Sequence, residues 1–291
     1  SYLSTMVVQK LVVFGGNGFL GKRICQQAVL NGIQVIGLSR SGKSPKPVNR
    51  NDSHWIKEVS WQSADIFTPD SYVNHLKNGS PDVVHSIGIL LENENYKRNI
   101  QNGFSISDLF GKSPNPLLHP RDSPTSKLKD PNFTYQRINT KSAMVLTDTY
   151  NTILKEQSEY PKIKPAISYI AADKGFTIIP EEYIHSKRMA ELYLLDEAHK
   201  NVDCPFRPII IRPGFMFDEL NTTQFNDFRT LLHDGIEVLN FANKIILRKQ
   251  FQFINELIRP TISTQQVGRS LISKIKNPKF NGIVTLDEML K

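Results

Sequence analysis

The stretch that decides the fold is Lys10-Leu11-Val12-Val13-Phe14-Gly15-Gly16-Asn17-Gly18-Phe19-Leu20-Gly21, an apolar run that enters a glycine-rich segment. Its last six residues have the spacing G-x-G-x-x-G. Where a strand turns into a helix, Gly16 allows the tight bend, Gly18 lets the backbone approach a pyrophosphate, and Gly21 allows the helix to pack closely on the strand. The start of such a helix also presents backbone N–H groups to phosphate. The motif therefore predicts a dinucleotide-binding turn, with a purely structural glycine turn as the alternative. The expected contacts are Gly15, Gly16, Asn17, Gly18, Phe19, Leu20 and Gly21.

The chain around this motif alternates between apolar runs and segments of helical periodicity. The predicted strands cover 10–14, 34–38, 61–66, 82–87, 166–171 and 208–212, and the predicted helices cover 19–31, 69–78, 139–155, 186–199 and 264–275. Such alternation is typical of a parallel sheet with helices on both faces, wound by right-handed crossovers. The sequence predicts an α/β fold of Rossmann type, a doubly wound parallel sheet with a small C-terminal lobe on the substrate side.

Two segments depart from the alternation. Between 99 and 133 the periodicity fails among prolines, serines and asparagines, which predicts a long irregular excursion used as a lid or docking loop, or disordered. Beyond Pro213 the chain becomes rich in phenylalanine and basic residues. We therefore expect a dinucleotide-binding Rossmann domain over 7–213, which contains the excursion, and a smaller lobe over 214–291 intertwined with it.

The end of the second predicted strand bears on the choice of cofactor. Proteins that bind NAD(H) carry an acidic residue there, which bonds the ribose 2′-hydroxyl, whereas this chain has Ser39-Arg40-Ser41. Arg40, aided by Lys43, would form charge-assisted hydrogen bonds with a 2′-phosphate. We expect NADP(H) rather than NAD(H), with Ser39 and Arg40 as contacts. The alternative is that Arg40 is a solvated surface arginine.

Two other strand ends supply candidate cofactor contacts. Asp65 and Ile66 follow the third predicted strand and are candidates to face the adenine, although an aspartate there is as commonly a turn or helix cap. Ser86 and Gly88 follow the fourth strand, and the missing side chain of Gly88 allows close approach of a cofactor.

Tyr183 and Lys187 are the candidate catalytic residues. Their spacing places a phenol and an ammonium on one face of a helix near its start. The ammonium can lower the tyrosine pKa and bind the nicotinamide ribose, while the phenol passes a proton to or from a carbonyl or alcohol. The spacing also occurs by chance; its place between the fifth strand and Arg212-Pro213-Gly214 favours the catalytic interpretation. Lys187, Arg212 and Pro213 are further expected cofactor contacts.

Composition narrows the class of protein. The 291 residues include 36 Lys and Arg against 28 Asp and Glu, giving a net charge of +8 and a pI near 9.3, so the surface should attract nucleotides, acidic lipid or nucleic acid. No nucleic-acid-binding motif supports the last of these. Cys25 and Cys204 lack a His/Cys ligand pattern, which argues against a disulfide scaffold and a structural zinc site.

The segment Leu239–Ile258 mixes aromatic and aliphatic residues with lysine and arginine. It is either a lipid- or partner-binding surface or, as we favour, a buried helix or pocket wall.

The glycine turn, Tyr183 and Lys187, and Arg212-Pro213-Gly214 occur in the order typical of the extended and atypical short-chain dehydrogenase/reductase superfamily, which the chain resembles over about 8–280. The runs FGGNGFLGKRIC at 14–25 and VHSIGILLENENYK at 84–97 resemble the branch that holds the NADPH-binding accessory subunit of respiratory complex I and a fungal mitochondrial protein associated with coenzyme Q biosynthesis. This resemblance implies a mitochondrial protein, in the matrix, whose partner is the coenzyme Q biosynthetic assembly. Peripheral contact with the inner membrane and association with other large mitochondrial assemblies are further expectations.

One residue of the family pattern is missing. The resemblance would place a catalytic serine just after the fifth strand, where this chain has Ala171 and Ala172, and Ser168 lies three residues too early. Unless Thr177 or the excursion supplies the hydrogen bond that polarises a substrate carbonyl, the loss of this donor typically costs about 100- to 1,000-fold in rate. The family's helix-kinking asparagine corresponds to Asn139, which is otherwise a candidate helix cap.

Three hypotheses follow. The first, which we favour, is an NADP(H)-binding accessory or regulatory protein of mitochondrial coenzyme Q (ubiquinone) biosynthesis. The second is an active NADPH-dependent reductase or dehydrogenase acting on a quinone-ring or other carbonyl substrate. The third is a non-catalytic scaffold in a mitochondrial assembly, binding its partners through the excursion or the basic C-terminal lobe.

Overall fold

The computed structural model describes residues 9–88, 132–157, 161–173, 181–200, 203–221 and 260–291. The predicted excursion over 99–133 lies outside these residues except for its last two positions. The amphipathic segment 239–258, the run 89–97 and residues 7–8 also lie outside them.

The described strands form one parallel sheet and a separate short pair. In chain order they are β1 Lys10–Phe14, β2 Gln34–Ser39, β3 Ser60–Ser63, β4 Asp82–His85, β5 Ala166–Ile170, β6 Arg207–Ile211, β7 Met216–Phe217, β8 Ile262–Ser263 and β9 Gly282–Val284. The large sheet has the order β3-β2-β1-β4-β5-β6-β9, and β7 pairs with β8. At its centre Val12 lies opposite Ile36 on one side and Val83 on the other. The strand order is that of a Rossmann sheet, so the predicted fold class is confirmed.

The described helices lie on both faces of this sheet. They are α1 Gly21–Leu30, α2 Arg50–Glu58, α3 Val73–Lys77, α4 Ser142–Lys155, α5 Glu181–Lys200, α6 Thr264–Lys276 and α7 Leu286–Met289, with a π-helical turn at Gln136–Lys141 and 3₁₀ turns at Pro69–Ser71 and Glu219–Asn221. Of these helices, none is both long and apolar enough to cross a membrane.

The alternation of side chains along each strand divides the core into two layers. Leu11 and Val13 of β1 pack on one face with α1, α2, α6 and α7, whereas Val12 and Phe14 pack on the other with α3, α4 and α5. Central parallel strands that are apolar on both faces require this arrangement, because each face must be covered by helices. The carboxyl ends of the strands are thereby left at one edge, where ligands bind in such sheets.

Local side-chain bonds explain where the predicted elements are wrong. The third strand was expected to reach Ile66 but ends at Ser63, because Asp65 and Ser71 form a turn in which the Asp65 amide donates to the Ser71 hydroxyl at 3.0 Å. Helix α2 was not predicted; its start is fixed by the Asn49 side chain, which accepts a hydrogen bond from the Asp52 amide. The strand β9 and helix α7 were also missed.

The described residues 260–291 are built into the main sheet. Strand β9 pairs with β6, and α6 packs on α1 so closely that a Cβ atom on Gly268 would lie 3.1 Å from the Arg23 carbonyl oxygen. At the end of α6 the guanidinium of Arg207 donates to five main-chain carbonyls, four of them at or just beyond the helix end. The division of the chain into domains at residue 213 stays a prediction.

A buried arginine also ties α1 to the C-terminal half of the chain. Arg23, with no exposed surface, donates to both carboxylate oxygens of Asp218 at 3.0 to 3.2 Å and to Asp52 at 3.0 Å. Lys22 lies 3.3 Å from Asp218, and the Gln265 side chain donates to the same carboxylate at 2.6 Å. The helix that follows the glycine motif is thereby fixed to residues near 218 and 265.

Candidate functional site

The glycine turn has a shape that side chains would prevent. The amides of Gly15 and Gly16 both donate to the Leu38 carbonyl, at 2.8 and 3.0 Å, and Gly15 has a positive φ of 79°. A Cβ atom on Gly21 would lie 2.0 Å from the Gly15 carbonyl oxygen, and one on Gly16 would lie 2.8 Å from the Cα of Gly37. The turn therefore exists because these positions lack side chains.

The start of α1 is suited to an anion. Its N-cap residue, Leu20, is buried and supplies no side-chain hydrogen bond, and the first turn contains no acidic residue. The partial positive charge of the helix N-terminus therefore has no acidic side chain from the first turn beside it. Asn17, Gly18 and Phe19 lead into this turn and are half-buried. These features fit the pyrophosphate of a dinucleotide.

The candidate residues for the adenosine end lie together. Asn17 donates through its side chain to the Lys43 carbonyl at 3.0 Å and to the Ser41 hydroxyl at 3.3 Å, which joins the glycine turn to the loop after β2. In that loop the Ser39 hydroxyl accepts from the Gly42 amide at 3.1 Å. Arg40 and Lys43 are exposed there. The cations are thus available to a phosphate at this edge.

The other strand-end candidates differ in what they contact. The Asp65 carboxylate accepts from the Phe67 amide at 3.0 Å, the bond of a turn cap, and Ile66 is buried. The Ser86 amide donates to the Phe14 carbonyl at 2.9 Å, and a Cβ atom on Gly15 would lie 2.9 Å from the Ser86 carbonyl oxygen. Ser86 therefore borders the glycine turn directly.

Lys187 is buried at the carboxyl end of β5. Only 4% of the residue is exposed, and its ammonium donates to the Ile170 carbonyl at 2.9 Å. Burial lowers the pKa of Lys187 to about 7, although the negative charge of Glu191 acts in the opposite direction. A Cβ atom on Gly88 would lie 2.9 Å from the Lys187 nitrogen and 3.3 Å from Oδ1 of Asn139. The glycine at 88 thus leaves room for the ammonium.

Tyr183 is held by the π-helical turn. Its ring lies edge-on to the Tyr135 ring, with centroids 6.0 Å apart, and 5.9 Å from the Lys187 ammonium. Asn139, fully buried in the π-helical turn, donates through its side chain to the Ser186 hydroxyl at 3.0 Å, and this hydroxyl donates to the Tyr183 carbonyl at 2.7 Å. A π-helical turn inside a helix often marks a functional site. Here it fixes the first turn of α5.

The position of the missing serine is filled by methyl groups. Ala171 and Ala172, both buried, follow β5, and the Ala171 amide donates to the Ile211 carbonyl at 2.8 Å. Ser168 faces the α1 side of the sheet among residues such as Ala166, and its hydroxyl is without a hydrogen-bond partner among the described atoms. Because Lys187 lies on the other face, Ser168 does not replace the serine.

Arg212 and Pro213 directly follow β6. The Arg212 guanidinium makes a bidentate ion pair with the buried carboxylate of Glu191, with bonds of 2.5 to 3.2 Å, and Arg188 pairs with the same carboxylate. The Pro213 carbonyl accepts from the Asp173 amide at 2.8 Å. In the described structure Arg212 joins the end of β6 to α5, and Pro213 joins it to the segment that follows β5.

Sequence reasoning missed His85 and Tyr169. His85 ends β4 with 1% exposure, and its Nε2 lies 2.7 Å from the Ser142 hydroxyl. Burial, helped by the charge of Lys187, lowers the pKa of His85 to about 3, so the imidazole is neutral. Tyr169 lies opposite it on β5. The only sequence signal was their place on strands next to Ser86 and Ala171. Over the described ranges, no cluster of three or more His, Cys, Asp or Glu side chains could hold a metal ion.

Known proteins provide an independent comparison. Residues 11–101 match the family described as the NAD dependent epimerase/dehydratase family. Over 293 aligned residues the chain is 47% identical to MIOREX complex component 2 of Saccharomyces cerevisiae, an alignment that covers 98% of this chain and 100% of that protein. A Brucella melitensis 3-oxoacyl-[acyl-carrier protein] reductase in complex with NAD is 11% identical, with a TM-score of 0.60 over 98% of both chains. The structure of ElxO with NADP bound is 14% identical, with a TM-score of 0.57 over 98% of this chain and 100% of that one. Likeness at these identities shows a shared fold.

Proposed function

Because the chain belongs to the short-chain dehydrogenase/reductase superfamily, in the family of yeast MIOREX complex component 2, we propose that it binds NADP(H) as an accessory or regulatory component of mitochondrial coenzyme Q biosynthesis. The bound nucleotide would regulate or stabilise the protein, and rapid turnover of a substrate would not be the protein's main role. The proposal has three parts: the nucleotide, the weak catalysis and the assembly.

The nucleotide part rests on the glycine turn and the loop after β2. The main chain of the turn and the start of α1 would hold the pyrophosphate, and Arg40 with Lys43 would hold a 2′-phosphate, which distinguishes NADP(H) from NAD(H). Lys187, beside Gly88, would hold the nicotinamide ribose. When bound, the nicotinamide supplies or accepts a hydride.

The observation that carries the weak-catalysis part is the pair Ala171 and Ala172. A glycine turn that fits a dinucleotide is joined to a site in which the described residues at the expected position after β5 carry no hydroxyl. Thr177, the alternative donor, lies outside the described residues. Without that donor, a substrate carbonyl loses the hydrogen bond that polarises it, which in comparable sites costs about 100- to 1,000-fold in rate. Binding depends on the main chain of the glycine turn and on the cations Arg40 and Lys187, and not on this hydroxyl.

Tyr183 and Lys187 favour a second candidate function, an active NADPH-dependent reductase on a quinone-ring or other carbonyl substrate. The phenol lies 5.9 Å, measured to its ring centroid, from an ammonium whose pKa burial lowers to about 7. A lysine of this kind changes charge near neutral pH and can assist proton transfer at the phenol. This pair is the reason to test for turnover.

The assembly part rests on the name of the yeast relative and on the sequence resemblance. The relative is named as a component of the MIOREX complex, so a large assembly is the partner that this family member would join. We extend the proposal to the mitochondrial matrix, to the coenzyme Q biosynthetic assembly and to peripheral contact with the inner membrane. A scaffold without nucleotide is the third candidate.

A thermal-shift experiment tests the nucleotide part. Wild type and Arg40→Ala are heated with NADPH, NADP⁺, NADH and NAD⁺; Arg269→Ala, an arginine 56% exposed on α6, is the matched control. A ligand at 100 times its Kd stabilises the native state by about 2.7 kcal/mol, which raises Tm by about 4 °C in a protein of this size. We expect this shift for the phosphorylated nucleotides alone, and its loss in Arg40→Ala. No shift with any nucleotide would favour the scaffold.

The role of catalysis is tested in cells and in the purified protein. We expect Gly18→Asp to abolish function in cells, because a carboxylate in the turn repels phosphate, and Tyr183→Phe to leave function nearly unchanged. If Tyr183→Phe instead reproduces a full deletion, the protein is an active enzyme and the accessory role is wrong. Ala171→Ser and Ala172→Ser, made singly, should raise NADPH oxidation with quinone-ring carbonyl compounds if the donor alone is missing.

A further inference from the structure

Tyr169 lies between the π-helical turn and Lys187, two parts of the site that no sequence pattern links. It lies on β5 opposite His85, and only 1% of its surface is exposed. Its hydroxyl donates to the Asn139 carbonyl at 2.9 Å, and the centroid of its ring lies 5.1 Å from the Lys187 ammonium, which sits over the ring. One buried side chain thus contacts both the π-helical turn and the lysine.

The two partners of Tyr169 meet at the end of β4. A Cβ atom on Gly88 would lie within 3.3 Å of both the Lys187 nitrogen and Oδ1 of Asn139. A displacement of either side chain would therefore change the surface beside Gly88. This is the surface that we assign to the nicotinamide ribose.

We propose that Tyr169 is a positioning residue, whose ring holds the Lys187 ammonium in place and whose hydroxyl holds the Asn139 main chain. The inference rests on the proposed function, because the lysine is positioned for a bound dinucleotide.

The ring is needed because the ammonium has lost water. Of the hydrogen bonds that hydrate an exposed lysine, the described part of the chain replaces one, with the Ile170 carbonyl at 2.9 Å. Besides the charge of Glu191, the faces of Tyr169 and Tyr183, at 5.1 and 5.9 Å, supply the attraction expected between a cation and the negative face of an aromatic ring. In a desolvated site this attraction favours the charged form by about tenfold or more, or about one pKa unit.

The groups around Lys187 determine how it titrates. From β4 it faces the neutral His85, from β5 Tyr169, and from its own helix Tyr183 and Glu191; Glu191 in turn is paired with Arg188 and with Arg212 from the end of β6. Burial raises the pKa of Tyr169 well above its ordinary value, so its ring stays neutral. Loss of the ring should therefore lower the lysine pKa further.

The experiment measures NADPH affinity by calorimetry from pH 5.5 to 9. In wild type we expect a break at about pH 7, above which NADPH affinity falls, because the ammonium loses its charge. Tyr169→Phe keeps the ring and should keep the position of this break, although binding weakens as the Asn139 carbonyl loses its donor. Tyr169→Leu should move the break down by about one pH unit. An unchanged break in Tyr169→Leu would overturn the proposal.

Tyr150 provides the matched control. It is also fully buried, and its hydroxyl donates to the Pro81 carbonyl at the opposite edge of the sheet, so Tyr150→Leu removes an equivalent ring far from Lys187. The control should lose stability without moving the break; an equal shift in it would mean that the effect is general loosening. If Tyr169→Leu does not fold, replacement of Tyr169 by pentafluorophenylalanine keeps the ring shape but removes its negative face, and should shift the break in the same direction.

A second measurement does not depend on the nucleotide. In protein labelled with ¹⁵N-lysine, the side-chain resonance absent from Lys187→Met is followed with pH. We expect its titration to move to lower pH in Tyr169→Leu and not in Tyr150→Leu; no movement would refute the role of the ring. If wild type binds no NADPH at any pH, the proposed function fails, while this titration still decides whether Tyr169 positions Lys187.

Discussion

Arg23→Met tests whether the buried charge network holds the helix of the glycine motif in place. The change removes the guanidinium and keeps an apolar side chain of similar length. Both carboxylates that lose the guanidinium are buried: the Asp218 side chain has no exposed surface, and 2% of the Asp52 side chain is exposed. Asp218 keeps the bonds from Lys22, Gln265 and the Leu220 amide. Asp52 keeps those from Trp55 at 2.9 Å and from the Val48 amide at 3.0 Å.

The expected cost follows from this geometry. Breaking a buried ion pair by removing one partner typically costs about 3 to 5 kcal/mol, because the remaining charge is buried without compensation. The surviving bonds place Arg23→Met near the lower end of this range, and Tm should fall by about 5 °C. Arg269→Met removes an exposed cation 4.0 Å from Glu219 and should cost less than about 1 kcal/mol.

The dependence on pH separates this network from a general packing defect. In wild type, burial acts to raise the pKa of Asp52 and Asp218, but hydrogen bonds and the charge of Arg23 outweigh it and lower both below the ordinary 3.8. Their stabilising contribution is therefore complete at pH 5 and is lost only as pH falls through the lowered values.

Without Arg23 burial has less opposition, so the pKa of one or both carboxyls rises above 3.8 and the variant loses stability as pH rises. Urea unfolding at pH 4 and pH 7.5 should show the greater cost at pH 7.5, by about 1.4 kcal/mol for each unit by which a carboxyl pKa in the variant lies above pH 4. A cost below about 1 kcal/mol, or the same cost at both pH values, would refute this reasoning.

Three further changes test other parts of the molecule. Gly21→Ala should abolish nucleotide binding in calorimetry and cost about 1 to 3 kcal/mol in urea unfolding, because its Cβ atom would lie 2.0 Å from the Gly15 carbonyl oxygen; retained affinity would mean that the turn can rearrange. Arg207→Met should destabilise the protein by about 3 kcal/mol and speed hydrogen exchange in α6, with nucleotide affinity unchanged, since five carbonyls each lose a hydrogen bond and only those of Lys274 and Asn277 keep a main-chain donor among the bonds described. Ser168→Ala removes a buried hydroxyl without a partner among the described atoms, so unfolding should show no loss and up to about 1 kcal/mol of gain; a loss above 1 kcal/mol would reveal a bond that the hydroxyl makes.

The sequence predicted the fold where local chemistry determines structure. Strand β1 was predicted at its observed bounds because an apolar run flanked by glycines has few alternatives. The third strand was predicted too long because Asp65 and Ser71 compete for the backbone through side-chain bonds. Helix α2 was missed because its buried face, Asp52, Trp55 and Ile56, includes a charged residue and so lacks an apolar stripe.

The contacts that complete the site come from distant parts of the chain. Arg23 and Asp218 are separated by 195 positions, and no local pattern marks either as the partner of the other. Tyr169 and Asn139 are 30 positions apart, and their bond depends on the π-helical turn, which propensity does not predict. Tyr183 and Lys187 could be found because their relation is helical and local, whereas the environment that lowers the pKa of Lys187 required the fold.

Nucleotide binding and catalytic turnover would depend on different kinds of atoms in this site. Binding of a dinucleotide uses main-chain amides and the absence of Cβ atoms at four glycines, features that the fold maintains as long as the turn and α1 persist. Polarisation of a carbonyl uses a single side-chain hydroxyl, which a change from serine to Ala171 or Ala172 would remove without disturbing the backbone. An accessory role would therefore require the glycines and Lys187 but not the serine. Nucleotide binding does not require the Tyr183 phenol, whereas proton transfer does, and for that reason Tyr183→Phe in cells is the decisive comparison between an accessory protein and an enzyme.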